Sequence, residues 1–467
     1  MIGVRRAMLV AAWSAALALL LTSCSGRQSI VQAPDPNVLL IVIDSLRADH
    51  LGAYGYQLNT SPHIDELAAD GALFENAITP SPWTRPAMAS LLTSLYPHVH
   101  GATIGRTLPA EVLTLAESLQ ARYYRTVEIQ TNPFIQGKNF AQGFATYSEI
   151  IEAAGEQVVN AFLRWLDQDD RPRFFAYLHF MDVHLPYWAP EAYRKRFVRP
   201  YTGVLRPDQI RIRKQVVELL PRLTDSDKRY IVDLYDAGVS HADDLVGLLL
   251  EELKRRGVLD KTIIVLTADH GEELFDHGGF EHGHSLLREV VHVPLVIRNP
   301  RVSAKGVRIN QLVRLIDVFP TILDFIGAEI PPFLMGRSLT PALTDPTADW
   351  NLEGFSEGVL YGPFQSAVEK GRFKVVRIEP PGTVKEAQQL ALMPPRPGWS
   401  GSGLTEFYDL EHDPGERHPL TRHPMEGRLL QVLNGERTTV SDVRITAAPE
   451  TMTKEQMEQL RSLGYLR

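Results

Sequence analysis

Apolar residues fall along this chain in two kinds of pattern, and their alternation predicts the fold. The first kind is short and unbroken. Residues 37–43, Asn-Val-Leu-Leu-Ile-Val-Ile, run without a polar interruption into Asp44, and similar runs stand at 174–178, 262–266 and 294–297. An unbroken run rich in β-branched residues suits a strand covered on both faces of a parallel sheet. The second kind is helical, at 64–69, 88–92, 113–120, 158–166 and 240–256. Strands alternating with helices predict an α/β fold built on a doubly wound, mostly parallel sheet. Beyond residue 345 the pattern changes. Residues 367–378 and 405–410 read as antiparallel strands around a Pro/Gly-rich loop at 380–403, and 453–463 reads as a terminal helix capped by Thr453. The expectation is a large unit over 37–345 and a small C-terminal α+β subdomain over 346–467.

The first 36 residues follow neither pattern. Arg5 and Arg6 precede an apolar run at 7–21, which ends in Leu21-Thr22-Ser23-Cys24. About fifteen apolar residues fall short of the ~20 that a membrane span needs. The ending resembles a bacterial lipobox, which implies an export signal over 1–24, lipidation of Cys24, and a polar tether over 25–36. The expected location is the bacterial cell envelope, with the membrane as partner through the lipid anchor. Cys24 is the one cysteine, so neither an intramolecular disulfide nor a cysteine-rich metal site can form. A net charge of −8 argues against the basic face of a nucleic-acid binder, and no nucleic-acid partner is expected.

Chemistry gathers where the unbroken runs end. One run ends at Asp44, another is followed by Asp269-His270-Gly271-Glu272, and a third by Asp182 and His184. The carboxyl ends of strands are where open α/β sheets bind ligands. Carboxylates brought together with imidazoles make a site for a divalent cation such as Zn²⁺ or Mn²⁺. Any one acid after a strand serves equally as a cap or turn residue, so the argument rests on their convergence.

Four segments, in this order and spacing, resemble the sulfatase family and its wider alkaline-phosphatase superfamily. They are NVLLIVIDSLRADHLGAYGY at 37–56, TRPAMASLLTSLYPHVHG at 84–101, IIVLTADH at 263–270 and EFYDLEHDPGE at 406–416. The resemblance implies that Asp44, Asp269 and His270 ligate a divalent metal (Mn, Zn, Ca or Mg), with the Thr84 oxygen as nucleophile and further ligand. It implies that His184 contacts substrate, and that His282 or His284 assists the leaving group. A second metal site built from Asp182, His282 and His284 stays open, as in two-zinc members.

The departures from the family sharpen the expectation. Ser45 stands where many sulfatases have a second ligating Asp. Sulfatases carry Cys or Ser in a C/S-x-P-x-R pattern that is oxidised to formylglycine, whereas this chain reads Thr84-Arg85-Pro86-Ala87-Met88. Threonine cannot give that aldehyde, so no formylglycine is expected. The basic Gly-Lys-x-His stretch is replaced by Gln130-Thr131-Asn132-Pro133, where Asn132 could donate to an ester oxygen or simply turn the chain before Pro133. Superfamily members with Thr in the nucleophile slot act on phosphate esters, as phosphodiesterases and as phosphoglycerol or phosphoethanolamine transferases. The expectation is therefore a hydrolase or transferase acting on a small-molecule, glycan or lipid phosphate ester through a covalent Thr84 intermediate. Two alternatives stand beside it: a sulfuric ester hydrolase, and a non-catalytic anchored binding protein on the same fold.

Overall fold

A computed structural model describes residues 35–439, apart from 138, 150–154, 169–172, 207–209, 211–212, 303–304, 348–349 and 391–401. Cys24, the tether up to residue 34 and the helix expected at 453–463 lie outside the described residues. From Pro36 onward the described residues belong to one compact unit. No helix among the described residues is long and apolar enough to cross a membrane.

The centre is an eight-stranded sheet in the order β10-β2-β9-β6-β1-β5-β3-β4. Its strands are β1 (Asn37–Ile43), β2 (Ala72–Ile78), β3 (Arg125–Gln130), β4 (Thr146–Glu149), β5 (Phe174–Phe180), β6 (Thr262–Thr267), β9 (His292–Arg298) and β10 (Val307–Arg314), with a two-stranded ribbon, β7 (Glu273–Leu274) and β8 (Phe280–Glu281), beside it. As the unbroken apolar runs require, all seven residues of β1 and of β5 are buried. β1 lies parallel between β5 and β6, with Val42 level with His179 on one side and Thr267 on the other. That register brings three strand ends to one place. Asp44 follows β1, Met181 follows β5, and Asp269 stands two residues beyond β6. β9 departs from the parallel rule and runs antiparallel to both β2 and β6.

Four strands of this sheet escape a search for apolar runs, for identifiable reasons. β3 is fully buried but carries Thr126, Glu128 and Gln130 among its apolar residues. β2 is buried except at its polar pair Glu75 and Asn76, β10 is half-buried and polar in part, and a bulge between Ile309 and Leu312 breaks the alternation of β10. β4 is a short strand at the sheet edge. The helix expected at 240–256 extends from Asp225 to Arg255, opened by a capping box between Thr224 and Asp227. Toward its N-terminal side and middle it buries acids among its aliphatics. Asp233 pairs with Arg199, Asp236 takes His50 and Tyr56, and Asp243 accepts the amides of His63 and Ile64.

The C-terminal region forms the expected antiparallel sheet, with strands β11 (Glu353–Glu357), β12 (Gln365–Lys370), β13 (Phe373–Ile378) and β14 (Leu404–Asp409) in sequence order. The stretch read as one strand at 367–378 is a hairpin, turning at Gly371 with φ of 57°. The loop expected at 380–403 contains a helix, Val384–Leu390. Phe355, Val368, Val375 and Phe407 of this sheet belong to the same hydrophobic cluster as β1. The small sheet therefore completes the core of the large one.

Candidate active site

Asp44, Thr84, Asp269 and His270 meet where the strand ends converge, each at most 1% exposed. One ligand atom from each of Asp44, Asp269 and His270 lies within 4.8 Å of the others. Thr84 is the first residue of the buried helix Thr84–Thr93 rather than its cap; the cap is Trp83, without a side-chain hydrogen bond. Its hydroxyl is thus released from capping. Thr84 Oγ1 lies 3.2 Å from His270 Nε2, 3.5 Å from Asp44 Oδ2 and 3.3 Å from Asn132 Nδ2.

Asn132 turns the chain before Pro133 as expected, and its amide nitrogen points to Asp44 and Thr84. Its Oδ1 accepts the Phe134 amide at 2.8 Å and starts the turn Pro133–Ile135, while its Nδ2 donates to Asp44 Oδ2 at 2.6 Å. Ser45 takes the left-handed backbone conformation, φ 60°, uncommon for a residue with a side chain. In that conformation its amide points to Asp269 Oδ1 at 3.3 Å and its hydroxyl donates to Asp44 Oδ1 at 2.9 Å.

Two carboxylates in one dry site cannot both ionise cheaply. Burial, together with the Asp44 charge, pushes Asp269 up to about 8. Burial acts on Asp44 in the same sense but is outweighed by His184, His179 and His270, which hold it well below the usual carboxylate range. Asp269 Oδ2 is buried with no partner in good hydrogen-bond geometry among the described residues, although His270 Nε2 stands 3.3 Å away. Burial lowers His184 and His270, and lowers His282 further with help from those two neighbours, so all three imidazoles favour the neutral form that binds a cation. An acid with an unused oxygen, a second carboxylate and neutral imidazoles form a donor set that fits a divalent ion.

The two histidines left open by the sequence separate. The His282 ring lies 4.1 Å from that of His270 and 5.2 Å from that of His184, and its Nδ1 contacts Glu272 Oε1 at 3.0 Å. His284 turns away to Glu273 Oε2 at 2.6 Å. The second metal site of Asp182, His282 and His284 is not formed. Asp182 pairs instead with His241 at 3.1 Å, in a group with Glu156, and its carboxylate also accepts the amide of Gly155.

Sequence reasoning missed His179 and Tyr177. His179 Nε2 lies 3.0 Å from Asp44 Oδ2, and its Nδ1 lies 2.6 Å from the Tyr177 hydroxyl. Both sit inside the apolar run of β5, where the signal was a histidine spaced two residues from a tyrosine in a strand with no solvent-facing side.

With this geometry in hand, comparison with known proteins decides the family. The sulfatase family model matches residues 36–328. The chain belongs to the sulfatase family, within the alkaline-phosphatase superfamily. An ulvan-active sulfatase of Formosa agariphila is 25% identical over 402 residues, 76% of this chain and 75% of its own length. Arylsulfatase K of Xenopus laevis is 27% identical over 70% of this chain and 71% of its own. PehA of Trinickia caryophylli, a multifunctional alkaline phosphatase superfamily protein, is 24% identical over 85% of this chain and 93% of its own. Among solved structures, a phosphonate monoester hydrolase of Agrobacterium radiobacter superposes with a TM-score of 0.65 at 21% identity, covering 87% of this chain and 95% of that one. A protein solved with its substrate D-glucosamine-2-N,6-O-disulfate superposes with a TM-score of 0.71 at 19% identity, covering 87% of this chain and 99% of that one. These superpositions place the sheet, and the small antiparallel sheet beside it, in the sulfatase fold. Family members depend on a divalent cation, and the Asp44, Asp269 and His270 group is where this sulfatase-family chain offers ligands for one.

Proposed function

We propose that the chain is a metal-dependent hydrolase or transferase of phosphate esters that works through a covalent intermediate on Thr84. The observation that carries the reading is the placement of the Thr84 hydroxyl, buried at the start of its helix and 3.2 Å from His270 Nε2. A threonine hydroxyl cannot become an aldehyde, so the route that sulfatases take through formylglycine is closed at this position.

Asp44, Asp269 and His270, with the Thr84 oxygen, would hold the cation. A divalent ion supplies Lewis acidity and positive charge at such a site, which lowers the pKa of a coordinated hydroxyl and stabilises developing anionic oxygens. Thr84 Oγ would attack phosphorus as its proton passes to solvent water; the Oγ–P bond forms as the P–O bond to the leaving group breaks. His282, neutral before substrate arrives, would take up a proton from solvent as the anionic ester binds beside it and give it to the leaving oxygen, with Glu272 orienting the ring through Nδ1. His184 would hold one ester oxygen, and Asn132 Nδ2, with one hydrogen on Asp44 Oδ2, would turn the other from Thr84 Oγ1 to a second. Water then attacks the phosphothreonine and returns the proton to Thr84 in a hydrolase, and an acceptor alcohol does so in a transferase.

Sulfate esters are the second reading, favoured by the names of the relatives. A non-catalytic binding protein is the third, disfavoured by a nucleophile and a full donor set in one buried cluster. The substrate in either enzymatic reading is a small-molecule, glycan or lipid ester. The residues before the tether support a lipoprotein anchored through Cys24 in the bacterial envelope, and Cys24→Ala should abolish fatty-acid labelling; unchanged labelling would refute the anchor. For the chemistry, the purified protein lacking residues 1–24 is assayed against phosphate monoesters, diesters, phosphonates and sulfates with several metals. Turnover of phosphate esters supports the proposal. Turnover restricted to sulfates overturns it in favour of the second reading, and absence of turnover with stoichiometric metal favours the third.

A further inference from the structure

We infer that Tyr177 and His179 form a buried relay that sets how tightly Asp44 holds the metal, acting as positioning residues behind the site; this rests on the reading of Asp44 as a metal ligand. Neither residue has a place in the ester chemistry. Both are fully buried on β5, whose register sets His179 beside Val42, two residues before Asp44.

The contacts fix the direction of the relay. The Asp44 carboxylate can only accept, so His179 Nε2 carries the hydrogen and donates to Oδ2 at 3.0 Å. In the neutral ring His179 Nδ1 is then an acceptor, and the Tyr177 hydroxyl 2.6 Å away donates to it. The phenol is held in its protonated form, since burial and then Glu128 push its pKa well above the ordinary value. Asn132 Nδ2 donates to the same Oδ2 at 2.6 Å, and Ser45 donates to Oδ1 at 2.9 Å. The Asp44 carboxylate is thereby gripped from behind by an imidazole that is itself locked in one tautomer. Removing His179 leaves Oδ2 of this fully buried carboxylate to Asn132, with the imidazole's part of the hold lost. Groups that orient a ligating side chain typically change metal affinity by about 10- to 100-fold when removed.

The test uses Zn²⁺ as the probe, with affinity read by chelator competition on EDTA-stripped protein. His179→Ala should weaken Zn²⁺ binding by about 10- to 100-fold. His179→Gln, whose amide nitrogen reaches the place of Nε2, should recover most of the affinity. Tyr177→Phe removes only the outer donor and should weaken binding less than His179→Ala does. Adding Tyr177→Phe to His179→Gln should cost nothing further, because the amide needs no phenol to choose its hydrogen. The melting point of each stripped variant separates packing from ligation. Zn²⁺ affinity unchanged in His179→Ala, with only the stripped protein destabilised, overturns the relay. Should His179→Ala not fold, unchanged affinity in Tyr177→Phe overturns it. Asp269→Asn is the control for the underlying reading. If Asp269→Asn keeps full affinity, the metal site itself is wrong; if it loses Zn²⁺ while His179→Ala and Tyr177→Phe do not, only the relay falls.

Discussion

Asp269 and Glu273 stand four residues apart, are equally buried, and have opposite electrostatic fates. Burial and Asp44 push Asp269 up to about 8, and one of its oxygens goes without a good hydrogen bond. Glu273 resists its own burial because His284 Nε2 sits 2.6 Å away and the amides of His277 and Gly279 point at it, and its pKa falls. The surroundings repeat the contrast. Around Glu273 the charges are matched, with His277 against Glu289, Arg288 against Glu369, and Lys374 against Glu416. At the strand ends the histidines balance one carboxylate, Asp44, and the second, Asp269, escapes its charge only by taking a proton. A buried charge without a partner is too costly to be a packing device. The matched region therefore reads as the clamp between the large and small sheets, and the unmatched region as a site whose partner is a cation.

The contrast predicts different penalties for changes in the two regions. The largest is at Thr84. Thr84→Ala should lower turnover by orders of magnitude while costing at most about 1 kcal/mol of stability, since the hydroxyl caps nothing. Comparable loss of stability and activity would make Thr84 a packing residue. Next, the two neighbouring histidines should part company. His282→Ala should lower kcat about 10²- to 10⁴-fold, most severely for esters with poor leaving groups, because a general acid is lost. His284→Ala should instead destabilise the fold by roughly 3–5 kcal/mol by leaving Glu273 buried and unpaired, as denaturant titration would register. Equal kinetic effects from both would erase the distinction.

The smallest effect concerns pH. His277 is raised from 6.5 to about 9; burial acts against the shift, and the Glu289 hydrogen bond and charge outweigh it. A raised folded-state pKa contributes stability that is fully present below 6.5 and is lost as pH climbs through about 9. Wild type should therefore lose its margin over His277→Gln between those limits. A melting-point difference that stays constant across that range would show that the pair contributes no linked charge.

The sequence revealed the parts of this molecule that are chemically uniform. β1, β5 and β6 were legible because strands covered on both faces must be apolar throughout, and Asp44 and Asp269 because an acid ending such a strand is conspicuous. β3 was hidden by its buried Glu128 and Gln130, and the first half of the helix Asp225–Arg255 by acids whose partners lie far off in sequence. The same limit applied at the site. Nothing in the order FFAYLHF says that His179 meets Asp44, since that contact is created by the register of β5 on β1. Nor could the spacing FEHGH tell His282 from His284; the positive φ of 70° at Glu281 and of 76° at Gly283 bends the segment so that one imidazole faces His270 and the other Glu273.

The central claim is that Thr84 carries the transferred group, and trapping that group tests it most directly. The metal-loaded protein is mixed with a phosphodiester that it turns over, quenched in acid and digested, and the peptide containing Thr84 is examined by mass spectrometry. The account predicts a phosphoryl increment on Thr84 that appears during turnover and decays once substrate is exhausted. Sustained turnover with Thr84 unlabelled, and persisting in Thr84→Ala, would contradict it.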